Sequence, residues 1–214
     1  LSLLKDQNRS QSDPMLLRCM TELSKIYLDS DKILQAESLA RNTYERSRLS
    51  FGTNHPKSLE RGQVLVECLR KLGRLNDAQA LSNRIVANLQ LVLGQSHPDT
   101  LGAMDSLAKI AAARNDLNLA LEQYLEILKL KEQALGSMHP ETLITLNATA
   151  GIYRQLDMLE EAKKAQYMVY QRLQEKYGHE HPETLRSMNE LADLHLELGE
   201  EDNAFSISER ALEI

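Results

Sequence analysis

Leu135-Gly136-Ser137-Met138-His139-Pro140-Glu141-Thr142-Leu143 joins two neighbouring copies of a pattern that repeats along this chain. The arrangement stands 42 residues earlier as Leu93-Gly94-Gln95-Ser96-His97-Pro98-Asp99-Thr100-Leu101, and 42 residues later as Tyr177-Gly178-His179-Glu180-His181-Pro182-Glu183-Thr184-Leu185. A further step back stand Phe51-Gly52 and His55-Pro56, and before them Asp13-Pro14 occupies the His-Pro position. A leucine column (Leu17, Leu59, Leu101, Leu143, Leu185) and an alanine column (Ala36, Ala78, Ala120, Ala162, Ala204) keep the same step. Five copies without insertion imply stacked supersecondary units rather than one globular core.

One unit can be built from its residues. Proline suits the first turn of a helix, where its missing N–H is no loss, so His55, His97, His139 and His181, like Asp13, fall at or near an N-cap. Asp99, Glu141 and Glu183 follow, and acids favour the positive helix N-terminus. Leu59, Leu65, Cys68, Leu69 and Leu72 recur at helical spacing. The first helix is expected to stop at Asp31, Gly73, Asn115, Asp157 and Gly199, residue types that tolerate a left-handed turn. A second helix carries the alanine, which admits a close neighbour, and ends at a bulky residue before a C-capping glycine.

Composition narrows the function. The chain of 214 residues is 42% hydrophobic and 26% charged, which suffices for a packed fold. A net charge of -6, 4% aromatic residues and no tryptophan argue against a nucleic-acid partner or an anionic membrane surface. No apolar run is long enough to span a bilayer, and the opening LSLLKDQNRS has no secretion-signal pattern. Cys19 and Cys68 have neither metal-ligand nor disulfide-framework spacing. Cys68 shares a column with Ile26, Ile110, Ile152 and Leu194, so it reads as a buried thiol, and a cytoplasmic, reducing setting fits. The chain lacks an initiating Met and ends inside a helical pattern, as a fragment of a longer protein would.

On these residues, together with Leu107-Ala108, Leu191-Ala192 and the aromatic Tyr27 and Tyr153, the sequence resembles the tetratricopeptide repeat. It resembles specifically the 42-residue form of kinesin light chains, a form also found in fungal and bacterial signalling NTPases. The resemblance implies an all-α fold, a right-handed α-solenoid of five helix-turn-helix repeats. Residues 1–13 form an N-terminal flank, poorly ordered or a short helix. The array covers 14–214, with repeats at about 14–55, 56–97, 98–139, 140–181 and a truncated 182–214. Departures from the family pattern occur at Leu69, Ala111 and His195 in the aromatic slot, and at Thr149, Arg114 and Ser30 in leucine slots.

The resemblance also implies that the first helix of each repeat lines a concave groove. One column there reads Thr21, Gln63, Asp105, Asn147 and Asn189, an outward polar ladder that would grip a partner's main chain, since amides both donate and accept. Lys25, Arg70, Lys109, Arg154 and Arg186 stand beside it in a mixed groove, basic in its middle at Arg70, Lys109 and Arg154 and suited to an acidic or C-terminal peptide. The expected function is therefore a non-catalytic protein-interaction module holding a partner peptide or helix. Two alternatives stay open: the sensor end of a nucleotide-switch signalling protein, and self-association by end-to-end stacking at Ile214.

Catalytic and metal-binding readings fail on spacing. The histidines form a row separated by at least a helix-packing distance, about 8–10 Å, whereas zinc ligands converge at ~2 Å. His179 beside His181 offers at most a weak surface site. There is no phosphate loop, no Gly-x-Ser-x-Gly, no His-Glu-x-x-His and no Cys-x-x-Cys, and Glu160-Glu161 and Glu200-Glu201 sit where helix starts suffice to explain them. No cofactor is expected. His-Pro at 55–56, 97–98, 139–140 and 181–182 is read as a structural linker.

Overall fold

The computed structural model describes residues 13–212, in which ten α-helices and no strand occur. The expectations for residues 1–12 and for the chain end at 213–214 lie outside the described residues. First helices are α1 (Pro14–Asp29), α3 (Pro56–Lys71), α5 (Pro98–Ala113), α7 (Pro140–Gln155) and α9 (Pro182–Glu197). Second helices are α2 (Ile33–Phe51), α4 (Leu75–Leu93), α6 (Leu117–Leu135), α8 (Leu159–Tyr177) and α10 (Glu201–Leu212). The arrangement is a solenoid of consecutive helix pairs.

The predicted punctuation is realised atom by atom. Asp13 Oδ1 accepts the Met15 N–H at 2.7 Å, and Nδ1 of His55, His97, His139 and His181 accepts the N–H two residues on, each at 3.2 Å. Proline follows at the first helical position in all five. The stop column has positive φ throughout: Asp31 57°, Gly73 71°, Asn115 62°, Asp157 60° and Gly199 74°. After α1, α3, α7 and α9 the next N–H bonds back five residues, for example Lys32 to Tyr27 O and Met158 to Tyr153 O, which closes the helix with a Schellman turn.

Threonine adds a second clasp at the joint. Thr100 Oγ1 donates to Gly94 O at 2.8 Å and Thr142 Oγ1 to Gly136 O at 2.9 Å, tying each first helix to the end of the helix before it. Thr184 is equally buried, yet its hydroxyl has no partner among the described residues. There Gly178 has ψ 175°, against 164° at Gly94 and 158° at Gly136.

The chain divides into two compact units between Arg114 and Asn115. In the first unit, Leu28, Tyr44, Leu59, Leu65, Cys68 and Ile85 share one core. In the second, Leu143, Leu146, Ala150, Val169 and Leu173 do. The alanine column is sealed in both. Of the Cys68 column, Ile110, Ile152 and Leu194 are buried as expected, but Ile26 is exposed, because no helix pair precedes α1 among the described residues to cover that face.

Where one pair meets the next, a recurring slot takes two chemistries. Leu89 on α4 and Ala103 on α5 fill it with carbon, and both are buried. In α2 and α3 the same two positions are Ser47 and Arg61; Arg61 Nη1 donates to Ser47 Oγ at 3.2 Å and to Lys57 O at 2.8 Å. In α6 and α7 they are Lys131 and Thr145, with Lys131 Nζ 2.9 Å from Thr145 Oγ1 and 3.5 Å from Glu141 Oε2. The long cation enters the slot from opposite sides in the two cases.

Candidate functional site

The second unit contains a cleft of about 410 Å³ between α7, α8 and α9. Its floor is Leu143, Val169 and Leu173, Ile144 stands open above that floor, and Asn147, Glu183, Arg186 and Glu190 stand around it. Helical spacing produces this arrangement. Pro140, Leu143, Ile144 and Asn147 lie on one side of α7, and Glu183, Arg186, Ser187 and Glu190 on the facing side of α9. Ile144 stays 55% exposed, an aliphatic side chain held open beside buried carbon. An apolar recess rimmed by a few oriented polar groups is the usual form of a ligand site.

The predicted site residues divide sharply. Asn147 and Arg186 line the cleft, and Asn189 is exposed on α9. Gln63 is half-buried, its amide donating to Asp99 O at 3.2 Å, so it ties α3 to α5. The outward ladder is corrected at two positions. Thr21 is buried and its hydroxyl donates to Leu17 O at 2.7 Å, one turn back on its own helix. Asp105 is buried and engaged in a polar interaction.

Two of the three cations of the expected basic middle, Arg70 and Arg154, are already answered by carboxylates. Arg70 Nη2 lies 2.6 Å from Glu67 Oε1. Arg154 on α7 is held by both carboxylate oxygens of Glu197 on α9, and that pairing, with Asp193 and Glu190 nearby, raises its pKa further. Lys25 pairs with Glu22 at 2.9 Å and Arg186 with Glu183 at 3.4 Å. Lys109 is exposed on α5.

Sequence reading missed Ile144 and Leu173 as cleft residues. Ile144 stands in a column that is otherwise polar or bare, with Arg18, Glu60, Gly102 and Arg186 at the matching positions of the other repeats. That lone apolar residue was the available signal. The cluster at the α9–α10 turn was missed as well. Glu200 there accepts from Lys163 Nζ at 2.8 Å and contacts His195 Nδ1, and Lys163 foremost, then His195, hold its carboxyl down to about 2. The His-Pro histidines each spend Nδ1 on a cap, and among the described residues no three His, Cys, Asp or Glu side chains gather as a metal site. No described helix is long and apolar enough to cross a membrane.

Comparison with known proteins agrees with this geometry. A tetratricopeptide repeat family model matches residues 62–133 and 141–214, and a second one matches residues 16–57. No curated protein matches. Among solved structures, a Podosopora anserina putative kinesin light chain with nearly identical TPR-like repeats superposes with a TM-score of 0.79 at 24% identity, over 92% of this chain and 94% of that one. BtubC (BKLC) from P. vanneervenii gives 0.74 at 22% identity, over 85% and 73%. The apo form of RapI gives 0.73 at 12% identity, over 91% and 68%. At these identities the likeness is one of fold.

Proposed function

Since this chain belongs to the tetratricopeptide repeat family, we propose that it is a non-catalytic protein-interaction module that holds a segment of a partner protein against its first helices. The observation that carries this reading is the cleft between α7, α8 and α9, with its carbon floor and its Asn147 and Arg186 rim. The floor supplies affinity by burying an apolar side chain, at roughly 25 cal/mol per Å² of apolar surface covered. Asn147 on α7 and Asn189 on α9 supply amides able to pair with an extended main chain. Two free cysteines, one of them buried, accord with a cytoplasmic setting.

The test compares what the chain retains from its own cell lysate with what the double variant Asn147→Ala, Asn189→Ala retains. Both side chains are at least partly exposed, so the variant is expected to melt as the parent does. A protein held by the parent and lost by the variant supports the reading. Equal recovery removes the two amides from the mechanism.

A further inference from the structure

We infer that the cleft between α7 and α9 takes a partner segment in which a bulky aliphatic side chain stands two positions from a lysine or arginine. The inference rests on the binding role proposed above and specifies the chemistry of what binds. It starts from charge. Helices α7 and α9 carry the carboxylates Glu141, Glu183, Glu190, Asp193 and Glu197 against two guanidiniums, Arg154 and Arg186. Lys131 answers Glu141, Arg154 answers Glu197, and Arg186 answers Glu183. Glu190 and Asp193 remain without a directly paired cation among the described residues.

Of these two, Glu190 lines the cleft and accepts a single hydrogen bond, 2.8 Å from the Gln166 amide, leaving carboxylate lone pairs free. Asp193 is exposed three residues on, on the same face of α9. Arg154 feels both charges but spends its hydrogen bonds on Glu197. A cation from a partner would therefore meet two carboxylates at the edge of the recess. An acidic residue would have only Arg186, and would have to take it from Glu183. Beside that edge lies the carbon floor of Leu143, Val169 and Leu173, with Ile144 open above it. The recess, about 410 Å³, is of a size for one or two aliphatic side chains rather than a helix. Apolar anchor and cation thus fall on one face of an extended segment, two positions apart.

Random 12-residue peptides displayed on phage and panned against the whole chain at low salt test this directly. The expected result is enrichment of Leu, Ile or Met two positions from Lys or Arg. A synthetic peptide of that consensus should bind about tenfold more weakly to the variant Glu190→Gln, Asp193→Asn, should weaken as salt is raised, and should lose binding to Ile144→Asn. All three substitutions are at exposed or half-exposed positions, and unchanged melting confirms that the variants fold. Enrichment of Asp or Glu, with binding lost on Arg186→Gln, overturns the chemistry while leaving the cleft as the binding site. Peptides indifferent to Ile144→Asn, or no enrichment at all, reject the binding role of the cleft itself.

Discussion

At the joint between helix pairs, Gly52, Gly94, Gly136 and Gly178 have φ 98°, 89°, 94° and 88° with ψ 159°, 164°, 158° and 175°. That extended, positive-φ region is entered essentially by glycine alone. At the turn inside each pair, φ lies near +60° at Asp31, Asn115 and Asp157, where a short polar side chain is tolerated. The two kinds of strain explain why one column is invariant and the other mixes Gly, Asn and Asp. Gly136→Ala is therefore expected to destabilise by about 1–3 kcal/mol through backbone strain, since a Cβ there meets nothing within 4 Å. Asn115→Gly should change stability far less, because relief of a mild strain is offset by the added freedom of glycine in the unfolded chain. Urea unfolding of the two variants makes the comparison, and equal effects would refute the distinction.

Between helices, the slot filled by Leu89 and Ala103, by Ser47 and Arg61, and by Lys131 and Thr145 behaves as a matched pair of positions. Arg61 is desolvated there, which lowers its pKa, so its hydrogen bonds must hold it. Ser47→Leu alone should destabilise by about 3 kcal/mol or more, leaving a buried cation short of a partner in a crowded site. Ser47→Leu with Arg61→Ala restores the Leu89–Ala103 chemistry and should recover most of that loss. A double-mutant cycle by thermal melting measures the coupling, and additive effects would show that the positions are independent. Sequence periodicity made the helix limits, the caps and the alanine contact legible, because each depends on residues a few positions apart. It left the slot obscure: Lys131 reads as a solvated charge until α7 lies against it. The pairing of Arg154 was hidden for the same reason, since its partner Glu197 is 43 positions away.

Across the molecule, stability in a repeat array passes through contacts between neighbouring units, and Glu200 makes one such contact, joining the α9–α10 turn to Lys163 on α8. Its carboxyl is held at about 2, below the ordinary 4.5, so folding favours the ionised form. The stabilisation is complete above pH 4.5 and is lost as pH falls toward 2. Circular-dichroism melts should show the parent losing melting temperature faster than Glu200→Gln over that window, the two curves converging near its acid end. Parallel curves would remove Glu200 from the acid response.

The two cysteines extend this to the speed of opening. Cys19 is exposed on α1, whereas Cys68 is sealed inside the first unit, and burial, reinforced by the charges of Glu37 and Glu67, pushes its thiol up to about 12. A chromogenic disulfide reagent is expected to consume one thiol at once and to wait for the first unit to open before it reaches the other. The lag is a clock built into the native chain: it reports how often the first unit opens, and Cys19 can meanwhile carry a single dye without disturbing the core.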